Sequence, residues 1–308
     1  MYNEEIKKRY IVEKENSTSI PEGFLYKQFS KTESFENFYG KDLCNFTKHE
    51  ILNMYKTFNT SSLDFLTVIN SHFSLYTQWC LCQNLVEDFQ NHFSVIDRES
   101  LLTCVNTIAI KKSIITRETL YDWIRQLPNP SDGFVMLALF EGIKGKEFCE
   151  IINLKMSDFE ENTVTLCTGR KFKVSDKLVE LAKESNETLD YYSITGKGKK
   201  QVQLMAEDLV VKNYPNCDDN VDTFTLGRRI YRKVIRSFDF LGVSEWMKPN
   251  SLVESGKIDY INNRSKELDM TYEEYLNSPY VKEIKQKYEF DMSRLKFGFL
   301  SKYKEFLS

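Results

Sequence analysis

Apolar residues recur at helical spacing over most of the chain. Leu52, Tyr55 and Phe58 fall at steps of three, which predicts a short amphipathic helix. Ser61 and Ser62 offer an N-cap to a stronger one over residues 63–81. Its stripe is Leu63, Leu66, Ile69, Phe73, Tyr76 and Cys80, with Trp79 alongside. A further helix is expected from Asp97 or Arg98, with Leu101, Leu102 and Val105 on one face. The first hundred residues therefore read as all-α. The pattern breaks at residues 110–113, which suggests domains over 1–112 and 113–308.

Beyond that break, Thr116 caps a helix carrying Leu120, Trp123, Ile124 and Leu127, and Pro128 and Pro130 end it. Ser131 or Asp132 then caps a helix through Val135, Leu137, Leu139 and Phe140, with Gly142 as its terminator. Another helix is expected from about Gly145, carrying Phe148, Ile151, Ile152 and Leu154. Residues 163–166 and 171–174 alternate around Thr168-Gly169 and predict a β-hairpin. A helix over 176–184 follows. A second hairpin is expected around Gly196-Lys197-Gly198, flanked by Tyr191, Tyr192 and Ile194 before it and Val202 and Leu204 after it. The remainder reads as helical, notably 226–238, 272–276 and 294–306. The fold class is thus mainly α with small β-hairpins (α+β).

Composition agrees with this pattern. A 41% hydrophobic and 28% charged chain is balanced for a globular protein, and 308 residues suffice for two cores. With 12 glycines and 6 prolines, long helices are favoured over a turn-rich β fold. The seven cysteines lack paired spacing and read as buried free thiols in a reducing compartment, without metal or cofactor. The charged N-terminus and the short apolar runs predict a cytoplasmic protein. The net charge of −3 does not by itself suggest nucleic acid, but DNA contact depends on a local basic face.

The candidate chemistry lies in residues 140–159, FEGIKGKEFCEIINLKMSDF. Gly142, Ile143, Glu147, Phe148, Ile151, Leu154, Asp158 and Phe159 resemble the box that carries the first active-site arginine in tyrosine recombinases, the phage integrase family. The arginine position holds Lys144, which can hold a phosphate as a point charge but lacks the bidentate fork. The stretch MKPNSLVE resembles the family's second box, with Asn250, Val253 and Glu254 where a histidine, an arginine and a histidine belong. His49, His72 and His92 are the chain's only histidines, and none lies downstream of the first box. Tyr303 is the nearest candidate for the nucleophile. The resemblance runs from about Ile115 to the end and implies a scaffold that clamps duplex DNA between two domains. It likens the N-terminal region to a SAM-like, core-binding DNA-binding domain. Two arginines normally stabilise the charge that builds on the attacked phosphate. Their loss implies that strand cleavage has gone while phosphate binding remains.

Basic residues fit that implication. Arg170, Lys171 and Lys173 lie on or beside the first hairpin, where the family places a DNA-contacting lysine. Lys197, Lys199 and Lys200 form a second basic turn, without the Walker phosphate-loop pattern. Arg228, Arg229, Arg232, Lys233 and Arg236 run along one stretch with no acid between Gly227 and Ser237, unlike an ordinary solvated helix. Lys248, Asn250 and Arg264 complete the candidate DNA-binding set, and Gly142 is read as a structural hinge that places Lys144.

The segments NPSDGFVMLALFEGIKGKEFCEIINL and SLDFLTVINSHFSLYTQWC resemble a narrower family, the MrpR/YopR lytic-cycle repressors of SPβ-like phages. That resemblance implies a sequence-specific double-stranded-DNA-binding repressor that maintains lysogeny without recombinase activity. Its implied partners are operator DNA, further copies of itself on DNA, and a small protein or peptide anti-repressor. Two alternatives stay open on the residues alone: a divergent active recombinase, and an interaction protein that reuses the fold without DNA.

Overall fold

The computed structural model describes residues 1–15, 23–194, 200–215, 222–289 and 299–307. The chain divides into two units, Met1–Lys111 and Lys112–Ser308. The fold class is mainly α with two small antiparallel sheets, as the sequence pattern predicts.

The first unit contains α1 (Glu4–Glu15), α2 (Phe24–Tyr39), α3 (Lys48–Thr57), α4 (Leu63–Cys82) and α5 (Arg98–Leu102). Helix α6 (Thr107–Ser113) crosses the boundary. Helix α4 starts where its cap signal lies: the Ser62 side chain accepts from the Phe65 N–H. Helix α5 is capped by Asp97, but Leu102 faces solvent. The core is aromatic, with Tyr10, Phe29, Phe73 and Tyr76 buried and Tyr10 edge-on to both Phe29 and Tyr76. Helices α1 and α2 escape the periodicity argument because their inward faces carry polar groups. Lys7 and Glu36 form a fully buried ion pair, and Thr32 donates to the same carboxylate.

In the second unit, α8 (Pro130–Phe140) is the centre. Its side chains from Ser131 to Phe140 are all buried. Around it pack α7 (Arg117–Gln126), α10 (Asp176–Glu187), α11 (Thr223–Phe240) and α12 (Pro249–Glu267). Full burial of Phe134, Leu137, Leu139 and Phe140 contributes about 1.5–3 kcal/mol per side chain. Asn129 rather than Ser131 or Asp132 is the N-cap, because Pro130 sits comfortably in the first helical position, where no N–H is needed. Asp132 therefore lies inside the helix and is buried.

The end of α8 is set by Gly142, at φ +92°. Its N–H reaches the Leu139 carbonyl and the Ile143 N–H reaches the Ala138 carbonyl, the paired bonds of a Schellman ending. A Cβ at Gly142 would overlap the Lys287 carbonyl, so close approach adds to the conformational demand. At Gly256 on α12, a Cβ would overlap the Phe140 carbonyl, which is how α12 comes so near α8. The Tyr288 hydroxyl donates to that same carbonyl at 2.9 Å.

The helix expected from Gly145 forms only as α9 (Cys149–Ile152). Glu147 and Phe148 adopt left-handed φ of 54° and 63°, which breaks the helix before it begins. Strands β1 (Phe159–Glu160), β2 (Thr163–Thr165) and β3 (Lys171–Lys173) form one sheet in the order β1-β2-β3, with Val164 opposite Phe172. Strand β1 is an addition to the predicted hairpin. The second hairpin joins β4 (Asp190–Tyr192) to β5 (Gln201–Gln203). Helices α13 (Tyr272–Asn277), α14 (Val281–Tyr288) and α15 (Leu300–Tyr303) complete the unit. Some of the helix expected over 294–306 lies outside the described residues.

Among the described residues, no helix is long and apolar enough to cross a membrane, and no cluster of metal-ligating side chains occurs. The cysteines are less uniformly buried than the sequence suggests: Cys44, Cys80 and Cys104 are buried, Cys149 is half-buried, and Cys82 and Cys167 are exposed. Cys217 lies outside the described residues.

Candidate nucleic-acid interface

The two box segments meet in space. Lys144 follows the Gly142 turn, and its Nζ donates to the Asn250 Oδ1 at 2.8 Å. Asn250 is exposed in the first turn of α12, after Pro249 at the first helical position and Lys248 at the N-cap. The N-terminus of this 19-residue helix adds partial positive charge to that of Lys144 and Lys248. Burial, with the Lys257 ammonium nearby, pulls the Lys144 amine below its ordinary value, while Glu254 and Glu289 oppose that pull. Glu254 is itself paired with Lys257 at 3.0 Å.

Of the remaining candidate positions, Glu254 is half-buried. Val253 is buried. Tyr303 is buried, and burial followed by the charge of Glu254 pushes its phenol well above the usual range. A tyrosine attacks phosphorus as its phenolate, so this environment disfavours the reactive form.

A buried carboxylate organises the Lys144 loop. Glu150, fully removed from water, accepts the Lys144 backbone N–H at 2.9 Å and the hydroxyl of Thr168. It also accepts two donors from Arg170. The remaining Arg170 donors go to the carbonyls of Gly142, Gln286 and Lys287. Arg170 is 11% exposed and spends its fork inside the protein. The residue expected at the DNA surface is instead the tie between β3, the Gly142 turn and α14, because a buried Glu150 demands a cation. Glu141, just before the Gly142 turn, has a parallel role: it accepts from Arg117 and from both the N–H and the hydroxyl of Ser175. Glu141 and Glu150 look like surface acids in the sequence, and no local signal marks them as buried.

Helix α11 is strongly two-faced. Ile230, Val234 and Phe238 pack inward together with Gly227, where a Cβ would overlap the Glu147 carbonyl. That contact seats the first turns of α11 against the Lys144 loop. Arg228, Arg232 and Arg236 stand on the opposite side, exposed, at steps of four. None of the three forms a salt bridge among the described residues. Eight residues of helix separate Arg228 from Arg236, a span of about 12 Å. The Arg228 guanidinium lies 5.7 Å from the Phe224 ring, and Tyr231 is exposed beside it.

The rest of the predicted set divides. Arg229 is half-buried. Lys233 is 12% exposed, with its Nζ at 2.9 Å from Asp132 and 3.0 Å from Ser131. It neutralises a buried acid of α8 and is not at the surface, which corrects the expectation for this residue. Lys171 and Lys173 are exposed on the same side of β3, Lys171 being 3.2 Å from Glu160. Lys200 and Lys248 are exposed, while Lys197 and Lys199 lie outside the described residues. Arg264 is 14 residues along α12 from Asn250, about 21 Å away. It is bound to Glu267 and Glu283 and does not join the Lys144 cluster.

The fold and site describe a mainly helical α+β scaffold with Lys144 and Lys248 grouped at the start of α12. Two family models identify it further. The one described as "MrpR, C-terminal catalytic domain" matches residues 114–308, and "MrpR, N-terminal core-binding domain" matches residues 1–83. The chain belongs to the MrpR family. It is 27% identical over 273 residues to the SPbeta prophage-derived uncharacterized protein YopR of Bacillus subtilis (strain 168), covering 84% of this chain and 81% of that one. Solved structures similar to it include a lambda integrase dimer bound to a COC′ core site, with TM-score 0.47, 14% identity, and coverage of 94% of this chain and 77% of that chain. XerA recombinase is similar with TM-score 0.37 and 12% identity, over 98% of this chain and 96% of that chain.

Proposed function

We propose that the chain is a sequence-specific double-stranded-DNA-binding repressor that keeps a phage lysogenic by silencing lytic genes, and that it does not cut DNA. The observation that carries this reading is the exposed row Arg228, Arg232 and Arg236 on the outer face of α11, the helix whose Gly227 packs against Glu147 of the Lys144 loop. A helix fits the major groove, and arginines reach both phosphates and guanine edges from it. Lys144, Lys248 and the start of α12 hold a backbone phosphate. Lys171 and Lys173, exposed on β3, add further phosphate contacts. Operator DNA in the host cytoplasm is the partner. Assembly of several copies on DNA and release by a small protein or peptide anti-repressor belong to the same proposal.

The absence of cutting rests on chemistry. Lys144 holds a phosphate without a bidentate fork, Val253 offers no donor, and Glu254 repels the charge that builds during attack. Tyr303 is buried, and its phenol is pushed further from the phenolate that attack requires.

The test combines gel shift and adduct detection on fragments of the phage's own genome. Tight binding to a few fragments, with no covalent complex on supercoiled DNA, supports the reading. A covalent adduct that disappears in Tyr303→Phe would establish an active recombinase instead. Equal binding to every fragment would remove the repressor assignment.

A further inference from the structure

A cleft of about 280 Å³ lies along one flank of α11, between that helix, β4 and residues 211–214. Its walls combine two kinds of group. Tyr191 and Tyr214 stand edge-to-face with ring centroids 5.8 Å apart, and Ile230 supplies an apolar side. Arg229, Arg232, Lys233 and Arg236 of the same helix also line it, as does Lys212.

The charges are unequal in their commitments. Lys233 is used by Asp132, and its Nζ also lies 4.1 Å from the Tyr191 ring centroid. The Tyr191 hydroxyl points to the same carboxylate at 3.3 Å. Asp132, which does not line the cleft, is thereby paired with Lys233 and hydrogen-bonded by Tyr191 and Asn129. Arg232 and Arg236 are neighbours at one helical turn and form no salt bridge among the described residues. Two such forks side by side suit a phosphate's several oxygens. Tyr214 is half-buried, so some of its ring faces the cavity. A flat heteroaromatic ring stacks well on such a face. The volume is near the lower end of the roughly 300–1,000 Å³ usual for small-molecule sites. That suits a base, one sugar and one phosphate, not a longer chain.

We propose that this cleft binds a purine nucleoside monophosphate, with the base against Tyr214 and the phosphate between Arg232 and Arg236. Arg232 and Arg236 also belong to the proposed DNA face, so ligand and DNA compete for them. That second half rests on the DNA-binding reading, whereas the binding site itself does not.

Calorimetric titration of the full chain with AMP, GMP, adenosine and inorganic phosphate tests the site. AMP or GMP should bind at least about tenfold more tightly than adenosine or phosphate alone. Tyr214→Leu and Arg236→Gln should each weaken that binding about tenfold while keeping the wild-type melting temperature. If Tyr214→Leu does not fold, Arg236→Gln decides. Absence of heat from either nucleotide at millimolar concentration overturns the proposal. So does phosphate binding as tightly as AMP, which would reveal a generic anion site. With a labelled operator duplex, saturating nucleotide should weaken DNA binding several-fold in the wild type. Unchanged DNA affinity in the presence of bound nucleotide overturns the competition. A chain that binds nucleotide but no DNA keeps the site and refutes the DNA-binding reading.

Discussion

At the residue scale, three groups have distinct roles. Gly142 ends α8 with positive φ and leaves no room for a side chain against the Lys287 carbonyl. Gly142→Val should therefore cost about 2–3 kcal/mol, through overpacking and backbone strain. Thermal unfolding would register this as a clear fall in the melting temperature, and DNA affinity should fall with it as Lys144 shifts. A variant that melts and binds like the wild type would refute the hinge. Glu150 and Arg170 make the second case. Removing one partner of a buried pair leaves an uncompensated charge, so Glu150→Gln should cost about 3–5 kcal/mol. Combining it with Arg170→Met should recover much of that loss, which denaturant titration of the double-mutant cycle measures. Additive losses would mean that Arg170 acts elsewhere, at a DNA surface.

Lys144 provides the third residue-level prediction. Its amine lies below the ordinary lysine value through burial and the proximity of Lys257. A lysine holds phosphate only when protonated. Its contribution is thus present at neutral pH and is lost as pH rises through the lowered value, before ordinary lysines titrate near about 10.4. Wild-type DNA affinity should decline in that alkaline window, and Lys144→Arg should decline much less. Fluorescence anisotropy across the window checks this, and identical pH profiles for both proteins would exclude Lys144 from the interface.

At the element scale, α11 separates surface cations from structural ones. Arg228→Ala and Arg232→Ala should each weaken DNA binding and reduce the slope of log affinity against log salt by about 1. Their melting temperatures should stay near wild type, since both side chains are exposed. Lys233→Ala should do the opposite, lowering stability because Asp132 loses its partner. Parallel salt titrations and melts distinguish these outcomes. A salt slope unchanged by the arginine variants would move the interface away from α11. The same scale shows what the sequence makes legible. The starts of α4, α5 and α7 carry local caps at Ser62, Asp97 and Thr116, and the hairpins carry alternation, so nearest neighbours suffice to place these elements. Helix α9 is misread because apolar spacing cannot register the left-handed backbone at Glu147 and Phe148. Gly227 and Gly256 give no signal at all, since the carbonyls that require them come from distant segments of the chain.

At the scale of the whole molecule, the net charge of −3 conceals a strongly uneven distribution. Several acids that produce this balance are internal: Asp132, Glu141 and Glu150 each hold a basic residue or a loop in place. Arg170 and Lys233 resemble surface cations in the sequence for that reason: their buried partners lie 20 and about 100 positions away along the chain. The boxes are legible because their frame is local. Their meeting through Lys144 and Asn250 is legible only through family resemblance.

The most direct test of the central claim is genome-wide mapping of bound sites in the lysogenic host, for wild type and for Arg228→Ala combined with Arg232→Ala. A sequence-specific repressor that binds through α11 should occupy a small set of discrete sites at lytic promoters, lost in the double variant while the protein remains folded. Occupancy without preferred sites, or a site pattern unchanged by the double variant, would contradict it.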